Sequence, residues 1–333
     1  MTARNRRWWV ALLPLALVVT ACDGAAAPAD GDGAFEAPDS VDFVVHTGPG
    51  GGSDVFARAI AELLVSEGLT DEQWPVLNEE GGSGAAAMAF MAEQDGRDDV
   101  IAAHTVTWLA TPLTNEEAAV DILQLTPIAQ LVSEPTVMAV PADSEFNSLQ
   151  DFVDAAEADP GGLTQAGGSV TSTDALAAEV IKADTGTEWG YLSFEGGGER
   201  IAALLGGNAD MMFGGPSDFT EQVAAGELKV IATIGPEPTA LFPDAPTLAE
   251  SGFDLTVPEQ IRGIVGPPGM SEGALVYYQD LFEQLLETEG WAEYAEENGF
   301  TTAFRPRSEY VEFLTEQIGI LTTELEKLGL LAE

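Results

Sequence analysis

The chain has 333 residues, with 12 Lys and Arg against 56 Asp and Glu, a formal charge of −44, and 45% of its residues are hydrophobic. That apolar fraction supplies a packed core and excludes wholesale disorder, and the length suits two domains. So few cations exclude a nucleic-acid partner held through its phosphates, and two His with one Cys exclude a His/Cys metal centre or a disulfide framework.

Arg4, Arg6 and Arg7 precede an apolar run over 8–19, which is too short for the roughly 20 residues that span a bilayer. Val19-Thr20-Ala21-Cys22 follows, and a basic start, a short apolar core and a small residue before the cut predict a secretory signal peptide over 1–21. The cysteine at the cut resembles that of a bacterial lipobox. This implies a diacylglycerol on Cys22 and an exported chain held at the outer face of the cytoplasmic membrane by its lipid alone. An ordinary signal with a chance cysteine is the alternative. Residues 22–39 are small, acidic and rich in Pro and Gly, and read as a flexible tether. The acidic excess fits a protein that stays hydrated in concentrated salt.

Beyond the tether, β-rich runs alternate with helical periods. A strand over 41–45 enters a Gly-rich loop, and Ser53 caps a helix with Phe56, Ala59, Ile60, Leu63 and Leu64 on one face, closed by Gly68. A strand over 75–77, a loop over 80–84 and an Ala/Met-rich helix to about Gln94 repeat the unit. Strands over 100–103 and 136–140 follow. Ser148 and Asp151 form a capping-box pattern for a helix that ends at 159–162. Strand 163–166, loop 167–172 and a helix over 173–184 come next, then strand 191–194, loop 196–198, a helix to Leu205 and strands over 209–213 and 229–234. Helices over 271–286, 291–298 and 308–330 fill the C-terminal third. The alternation predicts an α/β fold with parallel sheets covered on both faces. Ligands then bind where strand C-termini meet helix N-termini, whose free N–H groups favour an anion.

The strongest local signal is His46-Thr47-Gly48-Pro49-Gly50-Gly51-Gly52-Ser53-Asp54, a loop built either for close backbone approach to a ligand or for chain geometry alone. It lacks the Lys of a P-loop and the spacing of a dinucleotide fingerprint. No G-x-S-x-G is present, so a nucleophile elbow is unsupported. His46 and His104 read as polar residues near a cleft rather than general bases. Met211 and Met212 read as core. Trp108, in a Thr-rich loop, either stacks on a ligand or fills space. For Arg58, Arg200 and Arg262, salt bridges to the many acids are favoured over a ligand clamp.

The series VVHTGPGGGSDVFAR (44–58), NEEGGSG (78–84), FEGG (194–197), ALLGGNAD (203–210), AGELKVIA (225–232), FPDAPTL (242–248) and RGIVGPPG (262–269) resembles the substrate-binding proteins of tripartite tricarboxylate transporters, the Bug receptors. The resemblance runs from about Val41 to Leu330. It implies a two-lobed, Venus-flytrap fold of the periplasmic-binding-protein kind, with two crossings between lobes. The function it implies is capture of a small organic carboxylate for membrane permease subunits, with no catalysis and no cofactor. Carried onto this chain, the carboxylate would meet Gly51, Gly52, Ser53 and Asp54 from one lobe and Gly168, Ser169, Thr171 and Ser172 from the other. Thr105, Thr107 and Trp108 would line the cleft. Gly214 and Gly215 stand where many members carry Asp or a hydroxyl residue, which suggests an enlarged pocket. Gly48 replaces a common proline.

The resulting expectation is a monomeric lipoprotein with lobe one over 40–140 and 255–333 and lobe two over 141–254. Its hinges lie near Val140-Pro141 and Thr256-Val257-Pro258. A secreted hydrolase acting on a carboxylate-containing substrate through one of the His, and a receptor for a cationic ligand, are the alternatives.

Overall fold

The computed structural model describes residues 35–332 apart from 117, 119, 195, 236, 256 and 259. The expected signal peptide, the expected lipidation site Cys22, most of the expected tether and the expected hinge residue Thr256 lie outside the described residues.

In chain order the elements are β1 (Asp42–Val45), α1 (Gly52–Ser66), β2 (Val76–Asn78), α2 (Ala85–Glu93), β3 (Val100–His104), α3 (Thr107–Thr114), β4 (Thr126–Glu134), β5 (Thr136–Pro141) and α4 (Leu149–Ala158). Then come β6 (Thr164–Gly167), α5 (Thr173–Thr185), β7 (Gly190–Ser193), α6 (Gly197–Leu205), β8 (Met211–Gly214), α7 (Thr220–Ala224) and β9 (Leu228–Ile234). The chain closes with β10 (Gln260–Gly266), α8 (Glu272–Leu286), α9 (Glu289–Asn298), β11 (Thr301–Pro306) and α10 (Arg307–Leu328). Two sheets result, one ordered β11-β4-β10-β3-β1-β2 and the other β7-β6-β8-β5-β9.

The sheets are mixed rather than all parallel. β1 runs parallel to β2 and β3, and β6 to β7 and β8. β10 is antiparallel to β3 and β4, β11 to β4, and β5 to β8 and β9. Parallel neighbours need a crossover of about a dozen residues or more. Only Pro135 separates β4 from β5, so these two strands enter different sheets. The first crossing therefore falls at Pro135, ahead of the expected 140/141 boundary. On the return, Leu255 and Val257 still pack on the second sheet's core, and β10 begins at Gln260, so the second crossing lies later than 255.

Strand alternation explains the cores. Phe43, Val45, Ile101 and Ala103 face one side of the six-stranded sheet with α1 and α8, while Val44, Val100 and Ala102 face the other with Trp108 and α10. In the second sheet Met138, Val140, Met211 and Phe213 oppose Val137, Ala139 and Met212. These period-two runs are buried on both faces, as strands covered by helices on each side must be. The tether ends earlier than expected: Phe35 packs against Tyr277 with ring centroids 5.6 Å apart and closes over Gly273.

Candidate ligand-binding site

The C-terminal ends of β1, β2 and β3 in one lobe face those of β6, β7 and β8 in the other across a cleft of about 580 Å³, a volume suited to a small-molecule site. Each wall is a loop pulled into shape by the first-turn acid of the helix that follows. Asp54, 2% exposed, accepts from Gly50 N at 2.9 Å, Asn78 Nδ2 at 2.9 Å and Arg58 Nε at 2.9 Å. Burial works against its charge, but these donors outweigh it and hold the carboxyl below the usual carboxylate range. Opposite, Asp174 accepts from Gly168 N at 2.8 Å and the Tyr191 hydroxyl at 3.0 Å, with the Ser172 hydroxyl against its other oxygen. Burial and the Asp174 charge push the Tyr191 hydroxyl up, so it remains a donor.

A third loop, 81–84, is strained. Ser83 sits at φ 53° and Gly84 at φ 92°, with Trp108 packed so closely beneath Gly84 that a Cβ there would lie 2.9 Å from the indole. Only glycine adopts this conformation without cost. The Thr111 hydroxyl donates to Ser83 O at 2.7 Å and lies 3.3 Å from the Thr171 hydroxyl, which is 3.2 Å from that of Ser169. Because the Thr111 proton is committed to a carbonyl, Thr171 donates to Thr111 and Ser169 to Thr171. A directed hydroxyl relay thus joins the lobes at the cleft floor. Thr173 Oγ1 to Gln260 Oε1 at 3.0 Å and the burial of Leu176 among lobe-one side chains add to the contact.

The hinge carries an ion pair. Arg262 reaches Glu134 through Nε at 2.9 Å and Nη2 at 2.7 Å, and its Nη1 donates to Gly52 O at 3.1 Å. The guanidinium lies 5.2 Å and 5.4 Å from the Phe56 and Phe300 rings. Burial raises the Glu134 carboxyl, Asp218 adds to this, and Arg262 opposes it. Arg200 also faces the cleft; it has no ion pair among the described residues, and its Nε is buried without an acceptor.

Helix starts differ in capping, and α7 and α10, like those at the cleft, have no side-chain cap. α1, α2, α3, α5 and α6 begin on the cleft wall, and none has a side-chain cap. Away from it, Ser148, Ser271 and Thr288 cap α4, α8 and α9 with hydroxyls. In α1 the Asp54 amide donates to Thr47 Oγ1 and in α3 the Trp108 amide donates to Thr105 O, while the Gly52, Ser53, Thr173 and Asp174 amides have no partner among the described residues and, with their partial positive charge, remain available to an anion.

Of the residues expected from the sequence, Gly52, Ser53, Thr105, Thr107, Gly168, Ser169, Ser172, Gly214 and Gly215 line the cleft. Four others stand behind it. Gly51, rather than Ser53, occupies the α1 N-cap and donates to Gly48 O at 2.9 Å. Asp54 clamps the loop, Thr171 belongs to the relay, and Trp108 is fully buried beneath Gly84 between His46 and His104. The pocket is not enlarged at Gly214 and Gly215. A Cβ on Gly215 would lie 2.6 Å from Glu134 Oε1, and one on Gly214 would meet Asp218 and Phe219, so those side chains fill the space. His46 lines the cleft; His104 is core, bonded to Tyr310 at 2.5 Å and Thr105 O at 3.2 Å. Arg58 and Arg262 form the salt bridges expected of them, whereas Arg200 forms none with the described residues. Tyr294 and Phe300, which complete one wall, carry no local motif that marks them as site residues.

The family model of the tripartite tricarboxylate transporter family receptor, TctC, matches residues 63–330. A UPF0065 protein of Cupriavidus necator is 24% identical over 330 residues, 98% of each chain. BugT of Bordetella pertussis is 22% identical over 310 residues, 92% of this chain and 94% of its own. Among solved structures, R. palustris Rpa4515 with adipate superposes with a TM-score of 0.81 at 20% identity, covering 88% of this chain and 99% of that one. MatC from Rhodopseudomonas palustris with bound malate gives 0.75 at 20% identity, over 86% and 98%. The periplasmic binding protein BugD gives 0.80 at 18% identity, over 88% and 99%. The two sheets and their cleft are thus the two lobes of a periplasmic-binding-protein fold, and the chain belongs to the tripartite tricarboxylate transporter receptor family, whose members are substrate-binding receptors rather than enzymes.

Proposed function

We propose that this receptor captures a small organic carboxylate between the starts of α1 and α5 and delivers it to the permease subunits of a tripartite transporter. The observation that carries the reading is that α1 and α5 open on the cleft from opposite lobes without a side-chain cap, which leaves the amides of Gly52 and Ser53 and those of Thr173 and Asp174 without a hydrogen-bond partner among the described residues. Main-chain donors let an acidic chain hold an anion without cations to spare, because local dipoles outweigh distant, screened charge. The adipate and malate found in related receptors fit the same reading. A cationic ligand fits less well, since Glu134, Asp174 and Asp218 already accept from Arg262, Gly168 N and Gly215 N, which leaves only the exposed Glu80 among the cleft acids for it.

Closure proceeds about Pro135 and Val257-Pro258, with the relay among Ser169, Thr171 and Thr111 made on closing. Export through the 1–21 signal and lipidation at Cys22 hold the receptor at the membrane surface. The test is a thermal-shift and calorimetric panel of mono-, di-, tri- and aromatic carboxylates against amines of equal size. A carboxylate at 100 times its dissociation constant should stabilise the fold by about 2.7 kcal/mol. A panel in which amines alone stabilise it would refute the reading. Mass spectrometry of the membrane-extracted protein checks the lipid on Cys22.

A further inference from the structure

Two cations line the cleft, and they are not equivalent. Arg262 is fully engaged, with Glu134 on Nε and Nη2 and the Gly52 carbonyl on Nη1. Arg200, in the first turn of α6 on the opposite lobe, has neither a hydrogen bond nor an ion pair from its guanidinium to the described residues. Its Nε is shut off from solvent with no acceptor. A buried donor without a partner is costly, and a chain with 56 acids has no shortage of carboxylates to supply one.

Three of the four acids of the same cleft are committed elsewhere, and the fourth, Glu80, is exposed. Asp174 holds the Gly168 amide and the Tyr191 hydroxyl, Asp218 the Gly215 amide, and Glu134 holds Arg262. The charge of Arg200 acts on both Glu134 and Tyr191, which sets the guanidinium within the field of both. Among its cations the site leaves open one planar fork of N–H donors with a desolvated Nε, the geometry that takes a carboxylate or phosphate in two parallel hydrogen bonds.

We propose that Arg200 anchors a second acidic group of the ligand, so that the captured molecule is a dianion spanning the two lobes. This rests on the carboxylate reading above: one acidic group sits at the α1 and α5 starts, the other on the guanidinium. The consequence is selectivity. A monocarboxylate of equal length leaves the buried Nε unpaired, whereas a dicarboxylate supplies its acceptor. Four acids, Glu80, Glu134, Asp174 and Asp218, line the same cleft, so a second anionic group that is not seated on Arg200 meets repulsion instead.

The experiment is isothermal titration of the folded protein with succinate, glutarate and pimelate, each paired with the monocarboxylate of the same length, against wild type, Arg200→Gln and Arg200→Lys. At least one wild-type pair should favour the dicarboxylate about 10- to 100-fold, the range of a charge-assisted hydrogen-bonded contact. Gln should collapse that ratio to within about threefold, and Lys, a point charge without the fork, should restore part of it. The unliganded melting temperature of each variant verifies folding. A dicarboxylate preference that survives in Arg200→Gln, or wild-type affinities equal within every pair, overturns the Arg200 assignment and leaves carboxylate capture standing. Wild type that binds no carboxylate of either kind overturns capture, and the assignment with it.

Discussion

His104 offers a direct reading of how burial couples to stability. Its ring is 1% exposed between Trp108 and Tyr310, with Nδ1 donating to Thr105 O and Nε2 accepting from the Tyr310 hydroxyl. Both contacts suit the neutral ring, and burial pushes its pKa from 6.5 down to about 4, against the Thr105 carbonyl, which favours the charged form. The unfolded chain therefore takes up a proton in a range where the folded chain does not, and stability falls as pH drops from the unfolded value toward the folded one. At about 1.4 kcal/mol per pH unit, lowering the pH from neutral to about 4.5 removes roughly 2–3 kcal/mol through this side chain alone. Protonation of surface acids relieves self-repulsion over the same range, so the wild-type curve mixes opposing trends. The informative quantity is the difference between wild type and His104→Gln in urea unfolding at neutral pH and near pH 4.5. Wild type should be the more stable at neutral pH, and that advantage should shrink by about 2–3 kcal/mol on acidification. A difference that stays constant with pH would refute the reasoning, because it would mean that His104 does not resist protonation in the fold.

Asp54→Ala releases Gly50 N, Asn78 and Arg58; with Arg58 half exposed, the expected loss is about 2 kcal/mol in chemical denaturation. Because its carboxyl is held below 3.8, that contribution is complete at neutral pH and is lost as pH falls below that value. Asp54→Asn should weaken carboxylate binding only modestly in calorimetry. Thr171→Val, nearly isosteric, removes the link between Ser169 and Thr111 and should weaken ligand binding about fivefold by disfavouring closure, with a larger radius of gyration in solution scattering of the liganded protein. Gly215→Ala drives a methyl into Glu134 and should lower stability by about 1–3 kcal/mol, visible as a reduced melting temperature.

Much of the site was legible because its signals are local. A glycine run that follows a short apolar strand and precedes a helical period marks a strand–loop–helix junction, and the junctions at 46–53, 81–84, 167–172 and 196–197 all reached the cleft. The Thr-rich stretch around Trp108 misled, since Thr107–Thr114 carries Pro112 inside a helix. Strand β4, with Pro127 near its start, lacked a clean alternation because it is buried almost throughout.

Residue order alone determined that the chain alternates strands and helices, that glycine-rich turns present amides at helix starts, and that cations are too scarce for most of them to be idle. It did not determine which cation stays free. Arg262 and Glu134 are 128 residues apart and meet because β10 pairs with β4, while Tyr294 and Phe300 reach the wall from the far end of the chain. Only the tertiary structure decided that Asp54 and Asp174 shape the loops, that Trp108 is a floor, and that Arg200 faces the cleft without an ion pair among the described residues. Propensity, periodicity and capping act over a turn or two of chain, whereas ion pairing and burial depend on distances that only the assembled sheets create.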